Sequence, residues 1–173
     1  IVKFLMHYGD LYLGKTTVLC KDTPAFIANR VGVFAIMKVI DSMNKLNLNI
    51  DEIDKLTGPV IGRPKSATFR TSDVVGLDTL IKVAGNLFEG LQNDEGRKYF
   101  KLPEVVSKME QNKWLGDKTN QGFYKKTKNT KGETEILTLD LNTLEYKPKA
   151  KTKFATLEST KSIDNLKQRF KVL

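Results

Sequence analysis

Cysteine and histidine each occur once in this chain of 173 residues, as Cys20 and His7. One thiol excludes an internal disulfide and any zinc cluster built on cysteines, which places the chain in a reducing setting, read here as cytoplasmic. Cys20 ends an apolar run and is expected to be a buried, inert thiol. His7 lies in the first helical pattern, where a lone histidine is expected to be a surface or structural residue. Long apolar runs are also missing: none approaches the roughly 18 residues needed to cross a bilayer, so no membrane partner is expected. Residues 1–13 mix Lys3, His7 and Asp10 into their apolar side chains and offer no small-residue cleavage site, unlike a signal peptide. No GxGxxG or P-loop occurs, and GPVIGRP (58–64) follows the wrong kind of element to cradle phosphate.

What is present suffices for a core. Hydrophobic residues make up 40% of the chain, and the length suits one ordinary domain plus a tail, or two small domains. The net charge of +9 raises the question of a polyanion. However, the lysines crowd into residues 125–171, residues 41–104 mix both signs, and no RNP-like or zinc-finger spacing occurs. A solvated lysine-rich surface is expected, with no nucleic-acid partner.

Ile1, Phe4, Leu5, Tyr8, Leu11 and Tyr12 recur at helical spacing, with Gly14 as the stop. TTVLCKD (16–22) then reads as one strand. No capping residue precedes Ile1, and a lone strand needs a partner, so residues 1–20 read as the last piece of a domain lying elsewhere. Asp22 or Thr23 can cap the next helix, with Pro24 at its first position. Phe26, Ile27, Val31, Phe34, Ala35, Val39 and Ile40 predict that it is buried on most sides. Further helices are predicted from about Ile50 to Gly58, after a cap at Ser66 or Thr68, from Asp78 to Leu91, and from Pro103 to Gln111. WLGDKTNQGFY (114–124) is a glycine-containing loop. EILTLD and TLEYKP predict a hairpin turning at Asn142, and residues 161–172 a final basic amphipathic helix with Ile163, Leu166, Phe170 and Leu173 on one side.

Candidates for chemistry are few. Asp51, Glu52 and Asp54 fall in a helix's first turn, where they complement the helix dipole. Asn29 stands out. With Pro24 as the first helical residue it lies among Phe26, Ile27 and Val31, and a buried amide requires partners. Two uses remain open: a helix–helix hydrogen bond in the core, or a donor aimed at a substrate oxygen or a catalytic side chain of another domain.

Three stretches together resemble the 3-hydroxyacyl-CoA dehydrogenase family. KDTPAFIANRVG is similar to the junction where that family's NAD domain runs into its C-terminal domain. GRPKSATFRTSDVVGLDT resembles the signature within the C-terminal domain, and WLGDKTNQGFYKK its closing KTGxGFY loop, with Asn120 standing where glycine is usual. If that position is left-handed, asparagine is the next best tolerated residue.

The resemblance implies a mainly α fold. Residues 1–20 would be the last helix and strand of a Rossmann domain, 21–126 the helical substrate and dimerisation domain, and 127–173 a basic tail or linker. It maps the family's catalytic asparagine onto Asn29, near the substrate's 3-oxygen and a histidine that is not His7. It implies an acyl-CoA substrate, NAD held by a separate N-terminal domain, a homodimer through the helical domain, and a possible fused enoyl-CoA hydratase domain. It further implies a role in fatty-acid β-oxidation, with no activity expected from these residues alone. The alternative is a non-catalytic helical interaction module. Arg63, Lys65 and Arg70 are placed either to meet CoA phosphates or to serve as solvated surface charge.

Overall fold

The computed structural model describes residues 1–173. The first helical pattern forms α1 (Val2–Leu11), on which Phe4, Tyr8 and Tyr12 stack one turn apart with centroids 6.2 and 5.2 Å apart. Gly14, at φ +59°, ends the turn that follows. Residues 16–22 do not form the expected strand. With no neighbouring strand in reach, the segment stays irregular, and its Thr17 backbone and hydroxyl both donate to the Asp10 carboxylate at 2.9 Å.

The long helix α2 (Ala28–Leu46) starts later than expected, because residues 24–27 make a turn with Ala25 at φ +60° and Phe26 at φ +50°. Its buried stripe is Val33, Met37, Ile40 and Met43, at helical spacing. Phe26, Ile27 and Val31 are more than half exposed, so the expectation that they are buried is corrected: with the start shifted to Ala28, they lie off that stripe. Helix α3 (Ile50–Leu56) opens on a capping box, Asn49 accepting from the Glu52 amide while Glu52 accepts from the Asn49 amide.

Helices α4 (Phe69–Val75), α5 (Leu77–Gly90) and α6 (Glu104–Gln111) follow close to the predicted positions. A sharp break at Gly76, φ +97°, separates α4 from α5. Leu80, Ala84 and Leu87 of α5 meet the α2 stripe, while Phe69 of α4 packs edge-on against Phe123 at 4.7 Å.

The predicted hairpin belongs to a three-stranded antiparallel sheet of β1 (Tyr124–Lys128), β2 (Thr134–Leu139) and β3 (Tyr146–Pro148). Strand β1 was not anticipated. It leads straight out of the glycine loop, and its YKKTK composition carries no apolar alternation. The tail adds a short α7 (Ala155–Ser159), also not anticipated, and α8 (Leu166–Val172), which Asn165 caps by accepting from the Gln168 amide. Leu166, Phe170 and Leu173 of the expected apolar side remain largely exposed. No helix is long and apolar enough to cross a membrane.

Phe69 is fully buried at the meeting point of helices and sheet. Phe69→Ala is expected to cost about 3–5 kcal/mol of unfolding free energy, measured by denaturant titration. A loss below about 1 kcal/mol would show that this contact does not join the two layers.

Candidate functional site

Asn29 is the second residue of α2, in its first turn, and is exposed. It lines a shallow cleft of about 490 Å³ together with Pro24, Ala25 and residues of α5, among them Val83, Asn86 and Glu89. The core hydrogen bond considered for it is therefore not formed: the late helix start turns the amide outward.

Neighbouring elements hold this turn in place. Pro24 packs so closely on Gly90 that a Cβ at Gly90 would stand 3.0 Å from the proline Cγ. Next to Asn29, Arg30 makes an ion pair with Asp94, whose second oxygen accepts the Gly96 amide at 2.6 Å. One turn later Phe34 meets Tyr99 and Phe100 edge-on, at 5.6 and 6.2 Å. Ala25 and Phe26 are both left-handed, a conformation that costs about 1 kcal/mol or more at each. His7 is exposed on α1 and Cys20 is partly exposed rather than buried; neither lines the cleft.

A second constellation joins the helices to the sheet. Asp73, in the last turn of α4, is 1% exposed and accepts the amides of Phe123 and Tyr124 at 2.9 and 2.8 Å. Asp54 of α3 accepts three successive amides at the start of α4, those of Thr68, Phe69 and Arg70, and the Tyr124 hydroxyl at 2.9 Å. Asp51 accepts the Thr138 hydroxyl at 3.0 Å and the Ala150 amide at 2.8 Å. The reading of Asp51 and Asp54 as dipole complements of their own helix thus misses their main work. The cap of α4 is the carboxylate of Asp54, and neither Ser66 nor Thr68 supplies it.

Two glycines make room for Asp73. A Cβ at Gly122 would lie 2.2 Å from the Asp73 carboxylate, and one at Gly116 2.3 Å from the Asp73 carbonyl oxygen. Asn120 takes the left-handed conformation, φ +54°, that the loop requires.

Burial pushes the Asp73 carboxyl up to about 6, against the two amides that favour its charged form. Burial also raises Asp54, opposed by its amides and the Tyr124 hydroxyl, and raises Tyr124 itself beside the Asp54 carboxylate. The charges considered for CoA phosphates separate here. Arg70 is paired with Asp117 and Arg63 donates to the Thr68 hydroxyl, whereas Lys65 is exposed and forms no ion pair.

The family model for the 3-hydroxyacyl-CoA dehydrogenase C-terminal domain matches residues 26–126. The chain belongs to this family. The matched span contains Asn29 and the Asp54–Asp73 clasp, and stops inside β1.

The chain is 44% identical, over all 173 residues, to a Bacillus subtilis protein described as a probable 3-hydroxyacyl-CoA dehydrogenase, covering 21% of that protein. It is 31% identical over 162 residues to a putative fatty acid oxidation complex trifunctional enzyme of Rickettsia prowazekii, covering 91% of this chain and 22% of the relative. The chain thus spans about a fifth of the length of these curated relatives. Among solved structures, M. tuberculosis FadB2 matches 70% of the chain and 41% of its own, with a TM-score of 0.60 and 27% identity.

The family's dinucleotide does not fit these residues. The only sheet is antiparallel and no strand leads through a glycine loop into a helix, the unit a dinucleotide needs.

Asp73 also yields a pH dependence. Its folded value lies above the ordinary 3.8, so the native state holds the proton more tightly than the unfolded chain. The stability this gives is complete below pH about 4 and is lost as pH rises through about 6. In denaturant titrations across that window, the protein is expected to lose stability relative to Asp73→Asn as pH rises. Parallel pH profiles would rule out the titration.

Proposed function

We propose that these residues are the substrate-side domain of an NAD-dependent L-3-hydroxyacyl-CoA dehydrogenase of fatty-acid β-oxidation, which oxidises 3-hydroxyacyl-CoA to 3-oxoacyl-CoA. The observation that carries this is the setting of Asn29: the residue that the resemblance maps onto the family's catalytic asparagine lies within the matched span, on the rim of an open cleft, held by Pro24–Gly90 packing and the Arg30–Asp94 pair.

In this reading the Asn29 amide donates to the 3-oxygen of the substrate and orients it towards a histidine on a separate Rossmann domain. A donor fixed beforehand lowers the barrier because it needs no reorganisation as charge develops. NAD, the hydride acceptor, is bound by that other domain, of which residues 1–20 form the last portion. The exposed apolar residues of α1, with Phe26, Ile27 and Val31, then face the rest of the polypeptide or a second subunit, which supports a homodimer. Residues 21–126 are the helical domain, and 127–173 a basic tail or a linker to a further domain such as an enoyl-CoA hydratase. The lone cysteine agrees with a cytoplasmic setting.

Two measurements test this. In the full-length protein, Asn29→Asp is expected to lower kcat about a hundredfold with little change in the NAD dissociation constant. An unchanged kcat removes Asn29 from the site. The 173-residue chain alone is expected to give no turnover of acetoacetyl-CoA with NADH, and measurable turnover would overturn the assignment of histidine and NAD to another domain.

A further inference from the structure

The tail that follows residue 126 closes one wall of a second groove, of about 760 Å³, which shares no residue with the cleft at Asn29. Lys55 of α3, Lys65 ahead of α4, Lys126 of β1, and Lys149 and Lys151 beyond β3 all line it. Each of the five is exposed, and none takes part in any ion pair of the protein. The groove's carboxylates are already engaged. Asp51 is held by the Thr138 hydroxyl and the Ala150 amide, Asp54 by its three amides and Tyr124, and Asp117 by Arg70.

The lysine-bearing wall is also fixed in place. The Ala150 amide is bonded to Asp51, and Lys149 Nζ stands 5.3 Å from the centre of the Tyr124 ring. Five ammonium groups thus line one concave surface whose only carboxylates without a cationic partner are Asp51 and Asp54, and the excess of positive charge so held is relieved by an anion. Lysine meets phosphate as a point charge, and the groove's volume is that of a small-ligand site. Tyr124 is only 5% exposed, so the groove lacks the stacking surface that single-stranded nucleic acid uses.

We propose that this groove binds a small anion carrying two or more phosphates, with a pyrophosphate group as the element recognised. That group occurs both in free pyrophosphate or nucleotides and in coenzyme A. The proposal does not depend on the role of Asn29.

Isothermal titration of the 173-residue chain with inorganic pyrophosphate at low ionic strength tests it. One saturable site is expected. Lys65→Ala with Lys149→Ala should weaken it about tenfold or more, while Lys82→Ala with Lys101→Ala, both exposed and outside the groove, should leave it unchanged. All four lysines are exposed, so far-UV circular dichroism is expected to stay unchanged. A charge reversal, Lys65→Glu, gives a second reading of the same site and should abolish binding. Coenzyme A binding more tightly than pyrophosphate through the same two lysines identifies the coenzyme as the source, and equal or weaker binding identifies free pyrophosphate. The proposal is overturned by an absence of saturable binding, by equal weakening in the control pair, or by an oligonucleotide that binds more tightly than pyrophosphate.

Discussion

Asp73 bridges 50 residues of sequence: from the end of α4 its carboxylate takes the amides of Phe123 and Tyr124, where the glycine loop becomes β1. Both partners and the acid are buried, so the bond is costly to leave unmade, and the two chain segments are held in one register. The crowding at Gly116 and Gly122 follows directly, since any side chain there would displace the carboxylate or its backbone. Asp54 extends the same device by capping α4 with one oxygen set and holding the Tyr124 hydroxyl. Asp51 repeats it at β2 and Ala150. Three acids from two helices thereby attach a small sheet to the helical layer, beside the apolar contacts of Tyr124 and Leu139.

That attachment separates two concave regions. The Asn29 cleft is shaped by α2, α5 and the 94–100 turn, through proline packing, an ion pair and edge-on aromatic contacts. The basic groove is shaped by the clasp, because Lys55 stands on the helix that supplies Asp51 and Asp54, and Lys149 adjoins the residue Asp51 holds.

Much of the helical frame was legible in the sequence, since its signals are local. The helix start near Ile50, the stop near Gly58 and the 3.6-residue spacing of α5 each act within a turn or two. The left-handed Asn120 was legible only through the resemblance, which sets it where glycine is usual. The missed features are non-local. The α4 cap comes from Asp54, at least 14 residues away, and outcompetes the adjacent Ser66 and Thr68 that a local rule favours. The turn at 24–27 defeats proline's usual place in a helix because Ala25 and Phe26 turn left-handed against the packing of Pro24 on Gly90. The 16–22 strand failed for a related reason: β-branched composition describes a half-buried surface, and here no neighbouring strand supplies one.

The shift in helix start changes what Asn29 can do. Midway along a buried helix an amide must be satisfied internally, which makes it a structural residue and leaves it no free donor. In an exposed first turn the same amide stays available, and the nearby backbone amides of a helix start add partial positive charge around it. Such a position favours an oxygen that carries or develops negative charge. It does so without a desolvation cost in the free domain, because water satisfies the amide until a partner surface closes. The exposed Phe26, Ile27 and Val31 beside it are the apolar surface such a closure would cover. In the proposed function, polar donor and apolar rim together form half of a site whose other half excludes water.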